Sequence, residues 1–131
     1  MKLMKFLVTS SCNALLIPMT YAKVLPLQDC AQLQDPKTVV LFYADWCPHS
    51  RNFMPKYKAQ SDQAKYKDWK FYIKEHNDDT PVCGKEYEGV PATYKNNMNK
   101  KLMGDVSESK LVEFLEGNND IVTAAVSKKA N

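Results

Sequence analysis

The chain is 131 residues long, which leaves room for one domain of ordinary size. Hydrophobic residues make up 44% of it and charged residues 25%, a balance that excludes an intrinsically disordered chain and a protein embedded in a membrane. The formal net charge of +3 is too small for the basic surface that nucleic-acid binding needs, so we expect no nucleic-acid partner.

The N-terminus has the layout of a secretory signal peptide. A basic start, Met1–Lys5, precedes an apolar stretch that contains Phe6–Val8 and Ala14–Met19 and ends with small residues at the two positions that a signal peptidase recognises. This pattern predicts cleavage after Ala22, which would remove residues 1–22. The alternative is an uncleaved anchor, but the apolar run is shorter than the about 20 residues that a membrane-spanning helix needs.

Export has consequences for the charge and for the cysteines. Cleavage removes two lysines and lowers the formal charge from +3 to +1. The mature chain keeps Cys30, Cys47 and Cys83 and would lie in an oxidising compartment, either a periplasm or the outside of the cell, where cysteines tend to pair. Three cysteines cannot all pair within one chain, so one remains a thiol or bonds to another molecule. We expect the mature protein to be a monomer that does not associate with membranes.

A strand–helix–strand pattern follows the N-terminal segment. Thr38–Tyr43 is a continuous apolar, β-branched and aromatic run, which is typical of a central strand buried on both faces. Trp69–Ile73 predicts a second strand, and the polar stretch between the two, from about Pro48 to Lys67, carries apolar residues at helical spacing. A βαβ unit of this length predicts that the two strands are parallel.

An antiparallel hairpin is predicted further along the chain. Ala92–Lys95 and Lys101–Met103 have the composition of short strands, and they flank Asn96–Asn99. Asparagine tolerates the left-handed backbone conformations of tight turns, so this segment is suited to joining the two strands.

The last predicted helix begins after Ser107, whose side chain can cap it, and stops at Gly117. Its apolar face consists of Leu111, Val112, Phe114 and Leu115. The remaining residues, 118–131, contain no aromatic side chain and are predicted to form a frayed tail.

Cys47 is the residue best placed for chemistry. It lies between a buried strand and the start of a helix, and Pro48 follows it at the first helical position, where a missing N–H costs nothing. A thiol at this place faces unpaired backbone N–H groups and the positive end of the helix dipole, and both favour the thiolate. His49 would stabilise the thiolate further when protonated, or it is simply a solvated residue of the first turn. His76 lies in a polar loop and is predicted to be solvated.

The segment Phe42–Ser50 resembles the active-site segment of thioredoxins and of the catalytic domains of protein disulfide isomerases. Pro55 matches the proline that kinks the family's second helix, and Gly89–Thr93 resembles the family's cis-proline loop, which packs beside the active cysteine and holds the substrate backbone. The resemblance covers residues 23–117 and implies an α/β thioredoxin fold with a central mixed β-sheet flanked by helices. It also implies that four residues contact the substrate: Trp46, Pro48, Val90 and Pro91.

Two departures from the family pattern bear on mechanism. Family enzymes carry a second cysteine three residues after the first, and this thiol releases the substrate, whereas Ser50 occupies that position here. A serine hydroxyl can hydrogen-bond to the thiolate of Cys47 but cannot resolve a disulfide. Leu41 occupies the position of the family's buried acid. The ordinary dithiol cycle therefore cannot run on Cys47 alone.

The resemblance also suggests a place for the other two cysteines. In the family fold, Cys30 falls near the first helix and Cys83 near the start of the third, capped by Thr80–Pro81, on the same face of the sheet. A disulfide between Cys30 and Cys83 is one expectation. The alternatives are two buried structural thiols, or a role for Cys83 as a remote resolving thiol for Cys47. We expect no metal, because no cysteine or histidine pair has chelate spacing.

Three functions remain open at this stage. The first is a monothiol thiol–disulfide oxidoreductase, isomerase-like or reductase-like, which acts on disulfide-bearing or thiol-bearing exported proteins through Cys47, His49 and Ser50. It needs no resident cofactor, although glutathione is a candidate co-substrate. The second is a binding module or chaperone that holds clients through Cys47 and the Pro91 loop without turnover. The third is a structural domain in which Cys47 is a relic.

Overall fold

The computed structural model of the chain describes residues 24–76, residue 83, residues 87–123 and residues 127–128. The predicted signal peptide and the predicted helix start at Thr80–Pro81 lie outside the described residues. Within them, no helix is long and apolar enough to cross a membrane.

The secondary structure alternates between strands and helices along the chain. Its elements are β1 (Val24–Pro26), a 3-10 helix (Cys30–Gln34), β2 (Thr38–Tyr43), α1 (Pro48–Ser61), a second 3-10 helix (Ala64–Tyr66), β3 (Lys70–Glu75), β4 (Gly89–Val90), β5 (Ala92–Lys95), β6 (Lys100–Met103), α2 (Glu108–Glu116), β7 (Ile121–Val122) and β8 (Ser127–Lys128).

The strands form a mixed sheet around β2. The order in the main sheet is β1-β3-β2-β5-β6-β7, and β4 and β8 form a separate two-stranded sheet. β2 pairs in parallel with β3, which confirms the predicted βαβ unit, and in antiparallel with β5. A mixed central sheet with helices against it is the architecture that the resemblance implies.

Side chains of β2 alternate between two hydrophobic clusters on opposite faces of the sheet. Val40 and Phe42 belong to one cluster, and Val39 and Leu41 belong to the other. The helices cover the second cluster through Phe53, Tyr57, Leu111 and Phe114. Full burial of an apolar side chain of this size stabilises the fold by about 1.5–3 kcal/mol, so α1 and α2 are held mainly by this face.

The predicted hairpin is confirmed, because β5 and β6 pair in antiparallel along their length. Its turn holds Asn96, Asn97 and Met98 at φ values of 54°, 55° and 69°. Asparagine adopts this left-handed region readily, whereas methionine does not. The side chain of Met98 is buried in the core, and this apolar contact offsets the unfavourable backbone conformation.

The last helix has the predicted ends. The hydroxyl oxygen of Ser107 accepts a hydrogen bond from the backbone N–H of Lys110 at 3.3 Å, and Gly117 follows the last turn. The segment after it differs from the prediction of a frayed tail, since Ile121–Val122 pairs with β6 and Ser127–Lys128 pairs with β4. Such short pairings depend on backbone groups, so the side-chain composition did not indicate them.

A disulfide joins Cys30, at the start of the first 3-10 helix, to Cys83, with their Cα atoms 5.5 Å apart. The two residues are 53 positions apart in the sequence, so the bond closes a loop that contains β2, α1 and β3. A closure of this length restricts the unfolded chain strongly.

We expect the double substitution Cys30→Ala and Cys83→Ala to lower the free energy of unfolding by about 2–4 kcal/mol, because the unfolded chain regains the entropy of the opened loop. Urea denaturation without reductant measures the change. A thiol reductant should lower the stability of the unaltered chain by a similar amount and leave the variant unaffected. Equal midpoints for the two chains without reductant would contradict the prediction.

Tyr57 ties α1 to the sheet. Its hydroxyl donates a hydrogen bond to the carbonyl oxygen of Tyr72 at 2.7 Å and lies 3.3 Å from the carbonyl oxygen of Val39. The side chain is fully buried, and this burial raises the pKa of Tyr57 well above the ordinary tyrosine value. The hydroxyl therefore stays protonated in the folded chain at alkaline pH.

We expect Tyr57→Phe to cost about 1 kcal/mol of stability at neutral pH through the lost hydrogen bond. The folded state holds the Tyr57 proton more tightly than the unfolded state, whose tyrosines titrate near pH 10. The stability that the Tyr57 hydroxyl contributes is therefore fully present below about pH 10 and is lost as the pH rises towards the higher pKa of the folded state. Urea denaturation between pH 7 and pH 11 should show a shallower alkaline loss in the variant. Parallel pH profiles would refute the assignment.

Candidate active site

Cys47 caps the N-terminus of α1. After β2 the chain turns sharply, with the backbone N–H of Cys47 donating to the carbonyl oxygen of Ala44 at 3.1 Å. The backbone of Cys47 is extended, and its Sγ accepts a hydrogen bond from the backbone N–H of Ser50 at 3.3 Å. Sulfur thus fills the place that the oxygen of serine, threonine or aspartate takes in most helix caps, and Pro48 follows at the first helical position, as the sequence predicts.

Two opposing effects act on the thiol. The Ser50 N–H and the N-terminus of α1 favour the thiolate. Burial favours the neutral thiol, because the side chain of Cys47 is 0% exposed. In that neutral form the thiol donates a hydrogen bond to the carbonyl oxygen of Val90 at 3.5 Å. The site therefore offers a partner to each protonation state, an acceptor for the thiol and a donor for the thiolate.

Ser50 contacts Cys47 through its backbone. Its hydroxyl oxygen accepts a hydrogen bond from the backbone N–H of Ala44 at 3.3 Å, and it is the Ser50 N–H that reaches Sγ. The sequence allowed the hydroxyl to make the contact with the sulfur, but the backbone of Ser50 makes it. This arises because Ser50 is the third residue of α1, and in the first turn of a helix the backbone N–H points back towards the cap residue.

The other predicted site residues surround the buried thiol. Trp46 is 50% exposed and Pro48 is also exposed, so both are available to a binding partner. His49 is half-buried in the first turn of α1, two residues after Cys47. The two interpretations of His49 as a thiolate partner or a solvated residue are therefore both retained.

The loop before β5 lies directly beside Cys47. The Val90–Pro91 peptide bond is cis, and both residues are buried. The carbonyl oxygen of Pro91 accepts a hydrogen bond from the backbone N–H of Gly104 at 2.9 Å. Gly104 has a φ of 107°, a conformation that residues with a side chain rarely adopt, so glycine is needed where the loop is fixed to the end of β6. The carbonyl oxygen of Val90 thus meets the sulfur of Cys47 across 43 residues of sequence.

The orientation of α1 is fixed on its outer face as well. Asp105 accepts hydrogen bonds from the side-chain amide of Asn52 and from the ammonium of Lys56, the latter at 2.9 Å. Lys56 also donates to the carbonyl oxygen of Val106 at 3.0 Å. These contacts tie the second and third turns of the helix to the loop before α2, which helps to hold the capped cysteine in place.

His76 contradicts its predicted exposure. The residue is 6% exposed, and its Nδ1 shares a hydrogen bond with the hydroxyl of Tyr87 at 2.7 Å. The ring of Tyr87 stacks on Phe42 with the centroids 5.2 Å apart, in the same cluster as Cys47. The polar neighbours of His76 in the sequence predicted solvent exposure, but a partner eleven residues away supplies the hydrogen bond that burial requires.

Among the described residues, no group of three or more histidine, cysteine, aspartate or glutamate side chains is arranged to hold a metal ion. Of the three cysteines in that part of the chain, Cys30 and Cys83 form the disulfide and Cys47 is a thiol.

We expect Tyr87→Phe to lower the free energy of unfolding by about 1–2 kcal/mol, because it leaves the buried His76 ring without this hydrogen bond while the phenyl ring keeps its stacking on Phe42. Urea denaturation at neutral pH measures the change, and Lys74→Gln, at an exposed position of β3, is the matched control. A Tyr87→Phe variant as stable as the control would show that the hydrogen bond contributes nothing.

Comparison with known proteins agrees with this geometry. The thioredoxin family model matches residues 27–117. Among solved structures, the chain is similar to the thioredoxin of Malassezia sympodialis (Mala s 13), with a TM-score of 0.53, 16% sequence identity, and coverage of 78% of this chain and 94% of that one. At this identity the similarity shows the fold alone. No curated protein matches the chain in sequence.

The match to residues 27–117 spans most of the chain and includes Cys47, Pro55 and the Val90–Pro91 loop. It agrees with the mixed sheet, the capped cysteine and the cis-proline described above. The chain therefore belongs to the thioredoxin family and has the thioredoxin fold.

Proposed function

We propose that the chain is an exported monothiol thiol–disulfide oxidoreductase, of the reductase or isomerase type, that acts on protein disulfides through Cys47. One observation carries the proposal. The sulfur of Cys47 caps α1 and accepts the Ser50 N–H, which suits a sulfur that must attack and leave as a thiolate, while residue 50 itself has no sulfur. Membership of the thioredoxin family supports redox chemistry at this position.

The proposed reaction has two exchange steps. In the first, the thiolate of Cys47 attacks one sulfur of a client disulfide, a new S–S bond forms, and the other client sulfur leaves with the electron pair as a thiolate. In the second, another thiolate attacks the client sulfur of this mixed disulfide, and Cys47 leaves as a thiolate. When the second thiol belongs to the client, the disulfide is moved without net redox change.

Reduction of the client requires an external thiol. A small thiol such as glutathione takes the second step and forms a disulfide with the client sulfur, and a second molecule of the same thiol then releases the client thiol and leaves as the oxidised dimer. Two electrons pass from two thiols to one client disulfide, and Cys47 is regenerated. No resident cofactor or metal takes part.

Each residue of the site has a role in this scheme. The Ser50 N–H and the α1 N-terminus stabilise Cys47 when it leaves as a thiolate. The exposed side chains of Trp46 and Pro48, together with the backbone of the buried Val90–Pro91 loop, are the parts of the site that contact the client in this proposal. His49 lies near enough in sequence to add positive charge when protonated.

The disulfide between Cys30 and Cys83 supports an exported location. Structural disulfides persist in oxidising compartments and are rare in reducing ones. Together with the signal-peptide pattern of residues 1–22, this favours a periplasmic or secreted protein. The proposed clients are exported proteins that carry disulfides or thiols, and the proposed mature protein is a monomer that acts away from the membrane.

A binding module that holds clients without turnover is the second candidate. Two observations favour it: Cys47 is fully buried, and residue 50 supplies no thiol to release a bound client. Such a protein would trap clients covalently through Cys47 and the Pro91 loop. The two candidates differ in the rate at which the mixed disulfide is released.

The test uses the mixed disulfide between Cys47 and a cysteine-containing peptide, with Ser50→Cys as the comparison. We expect the unaltered chain to release the peptide at a rate proportional to added glutathione. Ser50→Cys should release it without added thiol, about 1,000-fold faster than the unaltered chain does at one micromolar glutathione, because a tethered thiol acts at millimolar effective concentration or above. Release is followed by mass spectrometry of quenched samples.

Cys47→Ser is the control and should form no mixed disulfide. Slow release that does not respond to glutathione would support the binding module instead. An unaltered chain that behaves like Cys47→Ser towards disulfide-bonded proteins would rule out any redox role.

A further inference from the structure

The chain's own C-terminal segment occupies a backbone edge next to Cys47. Ser127–Lys128 forms β8 and pairs in antiparallel with β4, with Gly89 opposite Lys128 and Val90 opposite Ser127. The pair stands apart from the main sheet. β8 therefore occupies backbone hydrogen-bonding positions of Gly89–Val90, just before Pro91, and does not extend the central sheet.

This edge is the one that a protein client would use. The Val90 carbonyl accepts the hydrogen bond of the Cys47 thiol, so a strand paired with Gly89–Val90 runs past the sulfur. A client that brings a disulfide to Cys47 must place its own backbone there. Extended segments bind to proteins by adding to an available strand edge, through main-chain hydrogen bonds that do not depend on sequence. While β8 is in place, this edge is taken and Cys47 is 0% exposed.

We propose, on the basis of the proposed function, that β8 occupies the client position and that an extended polypeptide segment flanking a disulfide displaces it. The pairing is well suited to displacement, since each strand has two residues and an isolated two-stranded pair is marginally stable in water. Only the fraction of molecules in which β8 is displaced accepts a client. The apparent affinity for protein clients is therefore the intrinsic affinity multiplied by that fraction. The consequence is selectivity: a client must outcompete β8 before it reaches Cys47.

The test changes the backbone of β8 and leaves the site residues intact. The double substitution Ser127→Pro and Lys128→Pro removes both N–H groups and prevents pairing, whereas Ser127→Ala and Lys128→Ala keeps the backbone unchanged and is the matched control. The measured quantity is the rate at which Cys47 of the full chain forms a mixed disulfide with a disulfide-bonded protein. We expect the proline variant to react roughly fivefold to thirtyfold faster than the unaltered chain, the range that corresponds to one or two backbone hydrogen bonds, and the alanine variant to match the unaltered chain.

Equal rates in the proline and unaltered chains would overturn the proposal, and so would an equal acceleration in the alanine variant. If Cys47 reacts at the same rate in every variant, only the role of β8 is refuted and the proposed function is not. Cys47 that reacts with neither a protein disulfide nor a small aromatic disulfide in any variant refutes the proposed function as well.

Hydrogen exchange on the unaltered chain gives a second measurement, which decides the matter if the proline variant does not fold. When Cys47 forms a mixed disulfide with a protein client, the amides of Ser127 and Lys128 should exchange faster. The expected increase is similar to the acceleration expected for the proline variant, roughly fivefold to thirtyfold. The amides of Gly89–Val90 should stay protected, because the client backbone replaces β8. Unchanged protection of Ser127 and Lys128 in the mixed disulfide would overturn the proposal.

Discussion

The hydrogen bond from the Ser50 N–H to the sulfur of Cys47 is the contact on which the site depends. A helix that follows a buried strand begins with backbone N–H groups that have no partner within the helix. Here β2 is buried on both faces and ends four residues before Cys47, and α1 begins directly after Cys47. The sulfur of Cys47 accepts a hydrogen bond from one of those N–H groups, that of Ser50. The same contact that completes the helix also makes the thiolate more favourable, which couples the stability of the fold to the reactivity of the cysteine.

The surrounding packing holds this contact in one geometry. Tyr57 fixes α1 to β2 and β3, and Asp105 fixes its outer face, so the helix cannot tilt away from the sheet without losing buried hydrogen bonds. On the other side of the sulfur, the Val90 carbonyl is held by a loop that Gly104 and β5 anchor. Cys47 lies between two rigid supports, one donating to it and one accepting from it. Burial then limits access, so access to the sulfur rather than its electrostatic environment is expected to control the rate.

The features that could be predicted from the sequence are those with local signals. The run Thr38–Tyr43, the Asn96–Asn99 turn and the Ser107 cap each depend on neighbouring residues, and the structure has them where they were expected. The burial of His76 and the β8 pairing depend on partners that are distant in the sequence and were missed. The Cys30–Cys83 pairing came from the family resemblance, because cysteine spacing alone does not determine connectivity.

The disulfide also constrains the proposed mechanism. Cys83 was considered as a remote resolving thiol, but in the structure its sulfur is bonded to Cys30, at the start of the first 3-10 helix. While that bond is intact, no described cysteine other than Cys47 carries a thiol. Ser50 cannot release a client, and Leu41 supplies no acid to move a proton at the sulfur. If Cys47 forms mixed disulfides, the thiol that ends each of them must therefore come from the client or from solution.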